Sequence, residues 1–423
     1  MKWKFRLGAV AGNTLEYYDI AVFAAISMYL SAEFAQQGYQ NPESIVWGIF
    51  ALRFITRPLG GYIIGRYADQ AGRKAALVLT SLITGLATLC MALLPINTLG
   101  YYAPLVVLLL QMTLSLSFGG EVASLTTYLF DDPATNERAR ICSLIVGSSL
   151  IGVLASLIIV YLLEHTLDSE TMQTVGWRIP LLLGIVNIAV SFWFRIKLPI
   201  QATIAYKRRV NWVDAMHICL IMAPATTVFY AQNMSMSIIR ESLHIGNFKN
   251  LYAIFSTALF CLLLMLTGWL ADRYASASKV FAWGVYSLII FSMPLYFLLS
   301  STIFEFVLLA QLFISANAAM ILCGNLSVIA QVAKGHTATM GVGCNISISL
   351  FGGMTPLIID SLLPYGLTYA GIYIYHSPAS RSYYHIGFLK HVISCTLFAY
   401  LSALSMFHFL CGQSCSLLVL AYG

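Results

Sequence analysis

Charge is what this sequence has least of. Lysine, arginine, aspartate and glutamate make up 9% of its 423 residues, against about 25% in a soluble domain. A chain that is 59% hydrophobic has too little polar surface to cover a globule in water. Alternating polar and apolar segments of about ten residues, the mark of a membrane β-barrel, are not seen. No phosphate-binding loop appears, so nothing here draws on a nucleotide, and no cofactor and no enzymatic activity are expected. Metal-ligand spacing is missing too: His376, His385 and His391 cluster late in the chain without it. The nine cysteines are an odd number and most sit in apolar runs. They read as small core residues with reduced thiols, not as a disulfide frame.

What is present is a succession of apolar runs, many of 18 residues or more. Each can cross a hydrocarbon core of about 30 Å as a helix. Twelve spans are expected, near 7–30, 45–65, 75–94, 103–130, 141–163, 178–198, 214–238, 250–271, 279–299, 302–330, 338–363 and 386–411. The fold class is therefore an all-α membrane protein. The basic start resembles a signal peptide, but Glu16 and Asp19 interrupt the apolar region and no small-residue cleavage site follows. A retained first helix is expected.

Lysine and arginine set the orientation. Sixteen of the 23 basic residues fall in one set of loops, from Lys2, Lys4 and Arg6 through Arg195 to Lys334. Arg178, Arg240, Lys249 and Arg381 fall on the other side. The rich side reads as cytoplasm, which puts the N-terminus inside and the chain in the cytoplasmic (inner) membrane. The net charge of +6 is then topology, not a nucleic-acid footprint.

A basic loop, "RIKLPIQATIAYKRRVNW" from Arg195, separates six spans from six. The expected units are residues 1–198, a cytoplasmic loop over 199–213, and 214–423. The halves echo each other: "GRYADQAGRK" at Gly65 and "GWLADRYASASK" at Gly268 place Asp69 and Asp272 203 residues apart. A parallel repeat with substrate held between the halves is one way secondary transporters are built.

"GRYADQAGRK" resembles the signature loop of the major facilitator superfamily, with Gln70 where a basic residue is usual. The resemblance sharpens to its metabolite:proton symporter branch, whose members carry proline, betaine, citrate, ketoglutarate or shikimate. The stretches that carry it are "GNTLEYYDI" at Gly12, "RPLGG" at Arg57, "GGEVAS" at Gly119, "WRIPL" at Trp177 and "CN…FGGMTP" from Cys344 to Pro356. Three departures stand out. The central loop lacks the branch's Glu-Thr-Pro-x-Phe motif, Arg53 replaces a small residue, and the pattern fades past about Asp360. The resemblance implies a proton-coupled symporter of a small organic acid or zwitterionic osmolyte, working by alternating access, as a monomer in the bilayer. Two other readings stay open: an uncoupled facilitator or exporter of the same fold, and a transport-dead membrane sensor or partner protein.

Carboxylates in an apolar span are costly and functional by default. Glu16 and Asp19 share one helix face with Asn13. With Glu121 they are the expected proton carriers. Asn13, Tyr17, Arg53 and Arg57 are the expected substrate contacts, the guanidinium fork suiting a carboxylate. A locked ion pair is the alternative for each charge, with Arg57 or Arg138 as partner for Glu121. Gly65, Asp69, Gly72, Arg73, Lys74, Asp272 and Arg273 are the expected gating loops, which the resemblance implies latch the halves together. Asn317, Asn325, Asn345 and Gln331 are polar in spans and read mostly as helix glue. Glu305 and Asp360 lie near span ends, where solvated positions are expected.

Overall fold

The computed structural model describes residues 3–131, 135–199, 209–233, 239–240, 242–243, 245 and 248–375. Among them all regular structure is helical. A helix satisfies its backbone polar groups inside its own segment, one of the two ways a chain can meet the demand of lipid.

The first span is α1 (Trp3–Ala25) and α2 (Ser27–Gln36), bent by 51° at the break. The second is α3 (Pro42–Leu52), a single 3-10 turn at Arg53–Thr56, then α4 (Arg57–Ala71). Single helices follow: α5 (Arg73–Ala92), α6 (Ala103–Leu129), α7 (Arg138–Thr166), α8 (Ile179–Ile196), α9 (Trp212–Asn233), α10 (Lys249–Tyr274) and α11 (Ala277–Leu299). The tenth span is α12 (Phe304–Leu322) with α13 (Asn325–Ala333). The eleventh is α14 (Thr337–Ser347), a π turn at Ile348–Gly352 and α15 (Thr355–Leu362). Then comes α16 (Leu367–Tyr375).

Eleven of the twelve expected spans coincide with these elements. Nine helices among the described residues are long and apolar enough to cross a bilayer, and α1 with α2 makes a tenth. The expected span over 45–65 is not one straight helix: the 3-10 turn breaks it where Arg53 and Arg57 enter. The expected span over 386–411, and with it His376, His385 and His391, lies outside the described residues. Helix α16 occupies a stretch expected to be loop. Its sequence, LTYAGIYIY, is apolar but too short to be read as a span by itself.

Proline opens several elements at a position where its missing N–H costs nothing: Pro42, Pro104, Pro180 and Pro356 stand at the first or second helical residue. Helix α1 packs on α7 and α8, α4 on α6, and α5 on α6 and α8. In the second half α11 packs on α12 and α16, and α9 on α14 and α13. The two sets meet along α4 with α14 and along α7 with α10. The first of these crossings needs glycine. A Cβ on Gly61 would sit 2.5 Å from the Gly341 carbonyl oxygen, and one on Gly341 2.5 Å from that of Gly61. Small residues admit such backbone contact where no hydrophobic force drives helices together.

Of the described cysteines, Cys142, Cys219, Cys323 and Cys344 are buried, Cys261 is partly buried and Cys90 is exposed. All six are free thiols. Glu305 and Asp360 are exposed, as expected of span ends.

Candidate functional site

Helix α1 carries Glu16 and Asp19 into the interior of the first half, where they are 0% and 3% exposed. Arg57, at the start of α4, closes onto Glu16: Nη2 contacts Oε1 in an ion pair with both side chains fully buried. Arg57 Nε donates to Asn345 Oδ1 of α14 at 3.4 Å. Asn345 in turn donates to the carbonyls of Gly119 at 2.5 Å and Gly341 at 2.6 Å. The pair therefore sits where α1, α4, α6 and α14 meet, on the seam between the halves.

Arg53 was expected to contact substrate, with an ion pair to Glu16 or Asp19 as the alternative. Its Nη1 donates to Gln111 Oε1 of α6 at 2.7 Å, and its guanidinium carbon lies 5.5 Å from the Phe50 ring centre and 5.9 Å from that of Phe54. Asp19 accepts from Thr88 Oγ1 at 3.5 Å. Asp19 and Arg53 form no ion pair within 4 Å among the described residues. The remaining polar atoms have no partner there: Glu16 Oε2, Asp19 Oδ2, Arg53 Nε and Nη2, and Arg57 Nη1. A buried charge with unmet hydrogen-bonding capacity is costly, and such groups mark functional sites in spans.

Glu121 is held neither by Arg57 nor by Arg138. Its partner is Arg195 of α8, whose Nη2 contacts Glu121 Oε1. Arg195 Nη1 also donates to Ser81 Oγ at 2.6 Å and the Leu77 carbonyl at 3.0 Å. Counting Arg195 among the loop cations was wrong: it is 0% exposed. The signal was available, because the apolar run 178–198 already enclosed it. A second signal was Gly12, where a Cβ would lie 1.9 Å from Arg195 Nη2. Asn13 is used as glue: its Nδ2 donates to the Ile145 carbonyl, Ser148 Oγ and Ser149 Oγ of α7 at 2.8–2.9 Å.

Between the halves lies a cavity of about 40 Å³ lined by Asn13, Tyr17, Ser149, Thr226, Tyr230 and Asn325, among others. Of the expected substrate contacts, Asn13 and Tyr17 line it. Arg53, Arg57, Glu16, Asp19 and Glu121 are not among its lining residues. Aromatic rings cross the seam beside it. Tyr17 meets Phe229 edge-on with centres 5.2 Å apart, and Phe54 meets Tyr230 at 6.1 Å. Here the 3-10 turn of the second span faces the π turn of the eleventh, and Ser349 Oγ donates to the Phe54 carbonyl at 2.7 Å. Such irregular turns recur where helices must bend to function.

At one end of the molecule the two repeated loops act across the seam. Asp69 Oδ1 accepts the Thr337 N–H at 2.8 Å, and Oδ2 that of Ala338 at 3.0 Å. Asp272 does the same to α7, accepting from Ala139 at 2.9 Å and Arg140 at 2.8 Å. Each carboxylate thus caps the N-terminus of a helix in the other half, where free N–H groups and the dipole favour it. The helix that Asp69 caps begins 268 residues later, which the sequence did not announce. Gly72 turns the chain at φ +99°. Arg73 pairs with Asp131 and donates to the Gly335 carbonyl at 3.3 Å. Lys74 lines the adjoining cleft. Arg273 stacks on Trp269 with 5.2 Å to the ring centre. Arg6 pairs with Glu137 at this same end, where Arg73, Lys74, Arg138 and Lys334 line the cleft.

Comparison with known proteins agrees with this geometry. A family model described as sugar (and other) transporter matches residues 6–200. The alpha-ketoglutarate permease of Escherichia coli (strain K12) is 27% identical over 387 residues, covering 85% of this chain and 87% of that one. The ectoine/proline transporter ProP of Corynebacterium glutamicum (strain ATCC 13032) is 27% identical over 394 residues, covering 84% and 77%. In structure, the major facilitator superfamily proton:xylose symporter XylE bound to 6-bromo-6-deoxy-D-glucose superposes with a TM-score of 0.67 at 15% identity, covering 96% of this chain and 95% of that one. The chain has the major facilitator fold. It is a multi-pass membrane protein and a secondary transporter of small molecules, as its relatives are transporters and not enzymes. Among the described residues no group of three or more histidine, cysteine, aspartate or glutamate side chains is arranged to hold a metal ion.

Proposed function

We propose that this chain is a member of the major facilitator superfamily and a proton-coupled symporter of a small carboxylate-bearing solute. The observation that carries the reading is the Arg57–Glu16 pair on the seam, with Arg57 Nη1 and Glu16 Oε2 left without partners. A proton on Glu16 removes the charge that holds Arg57. The freed guanidinium then offers its fork to a substrate carboxylate. Loss of the proton reverses the exchange and expels the solute. Glu16 and Arg57 thus make proton and substrate depend on each other. Asp19 sits one turn after Glu16, Arg53 one turn before Arg57, and both serve the same exchange. Asn13 and Tyr17 line the space the solute enters. Glu121, locked to Arg195, takes the lesser part.

The buried charges Glu16, Asp19, Arg53 and Arg57 sum to zero. A dicarboxylate would bring two negative charges to that balance, whereas a zwitterion brings none. Tyr17, Phe54, Phe229 and Tyr230 offer ring faces, and such faces attract a quaternary ammonium within about 6 Å. Zwitterions such as betaine or proline are therefore favoured over 2-oxoglutarate. The cavity of about 40 Å³ is too small for any of them. Loading requires the halves to part, and the Asp69 and Asp272 latches close the face opposite to the entry side.

The same reading places the latches in the cytoplasm, the chain in the inner membrane as a monomer, and the unit boundaries at 1–198 and 214–423. The test is uptake into proteoliposomes of labelled betaine, proline and 2-oxoglutarate, with and without an inward acid gradient. Gradient-driven accumulation of a zwitterion supports the proposal. Equal uptake with and without the gradient rejects proton coupling in favour of a facilitator.

A further inference from the structure

The Asp69 latch contains a third partner. His336, the residue before α14, places Nδ1 3.2 Å from Asp69 Oδ2. The same nitrogen accepts the Thr339 N–H at 3.3 Å and lies 3.1 Å from Thr339 Oγ1. One ring nitrogen thus faces two kinds of partner. As an acceptor it caps α14 but turns its lone pair toward a carboxylate oxygen. As a donor it gives its proton to Asp69 and releases the Thr339 N–H. Imidazolium carries a proton on both nitrogens, so charging the ring commits Nδ1 to Asp69.

The second latch is built differently. There Arg140 Nε stands 3.2 Å from Asp272 Oδ2, and guanidinium does not lose its charge in the working range. The two latches share their backbone geometry and the 3.2 Å separation between cation and carboxylate. They differ in the partner: one is a guanidinium, which keeps its charge, and the other an imidazole, which is charged only when protonated.

Other charges face His336 from each element around it. Asp69 comes from the end of α4. Arg73 of α5 reaches the Gly335 carbonyl and pairs with Asp131 beyond α6. Lys74, Arg138 and Lys334 line the adjoining cleft. Arg209 stands two residues before Asn211, whose N–H donates to Thr339 Oγ1 at 3.3 Å. Of all these side-chain types, only imidazole has its ordinary pKa between pH 5.5 and 8.

We propose that His336 is a proton-responsive positioning residue of the Asp69 latch, its imidazolium form holding α4 and α14 together at that face. This rests on the alternating-access reading above. If the latched face is cytoplasmic, an acidified cytoplasm holds the transporter shut on the side where solute and protons are released. The proton that drives uptake then restrains it once it accumulates.

The experiment measures the latch itself, without substrate. Nitroxide labels at Arg66→Cys and Lys279→Cys, both exposed at the latch end of opposite halves, report the separation by double electron–electron resonance in nanodiscs. The background lacks the native cysteines that label. The close population should gain on the open one as the pH falls from 8 to 5.5. His336→Gln should lower that gain to the residue left by other groups. His336→Arg should hold the close population high at both pH values. Asp69→Asn should lower it at both. Wild-type pH response in His336→Gln, or an open population in His336→Arg equal to wild type at pH 8, overturns the proposal. A single unchanging separation in all four proteins overturns it too. Uptake assays on the same variants separate this outcome from the functional reading: a His336-dependent latch in a protein that moves no solute keeps the inference and rejects the symporter.

Discussion

Arg57 and Glu16 come from different spans, touch each other, and are both 0% exposed. Neither charge has water to fall back on. Removing one leaves the other buried and unpaired, which costs roughly 3–5 kcal/mol. Arg57→Gln should therefore lower the melting temperature in detergent sharply. The double variant Arg57→Gln with Glu16→Gln should recover much of that loss. A double variant no more stable than the single would mean that the pair is not an energetic unit.

Coupling gives a second test. Glu16→Gln and Asp19→Asn should abolish uphill uptake while sparing exchange of solute across the membrane. Counterflow in proteoliposomes measures exchange, and accumulation under an acid gradient measures coupling. Wild-type accumulation in both variants would end the assignment of the proton to α1.

Arg53 should behave unlike Arg57. Its described hydrogen bond goes to neutral Gln111, so Arg53→Ala strands no ion-pair partner. The variant should melt much closer to wild type than Arg57→Ala does, yet bind carboxylates more weakly. Ligand-induced shifts in melting temperature, for betaine against a neutral analogue, decide this. Intact carboxylate binding in both Arg53→Ala and Arg57→Ala would remove the arginines from the site.

Gly12 exists for Arg195. Gly12→Ala puts a methyl group against the guanidinium and should destabilise by roughly 1–3 kcal/mol through overpacking. In a background with Arg195→Ala and Glu121→Gln the same methyl should cost little. Thermal melts of the four proteins give the coupling directly. Equal costs in both backgrounds would assign Gly12 to some other contact.

The latches should be additive in function. Asp69→Asn and Asp272→Asn each weaken one cap across the seam, so each should shift the protein toward opening at that face. Labelling of a cysteine on the opposite face should fall in each single variant and further in the double. Unchanged labelling would leave both aspartates as turn residues only.

The sequence by itself determined the class of this protein. Charge at 9% of residues and repeated apolar runs too long and too unbroken for barrel strands point to a helical membrane fold, whose backbone is satisfied within each segment. Arginine and lysine marked the loops that cluster at one end, and the repeat of Asp69 and Asp272 marked the latches, because a short loop must announce its chemistry within a few residues. Glu16, Asp19, Arg53 and Arg57 stood out because a charge in an apolar run is locally anomalous. Which charge meets which was left to the tertiary structure. Glu121 takes Arg195 instead of Arg57, and Arg53 takes Gln111, because partner choice depends on how helices far apart in sequence rotate and cross. The thinness of Gly61 against Gly341, the break at Arg53–Thr56 and the reach of Asp69 to Thr337 follow from the same long-range packing, which no local pattern encodes.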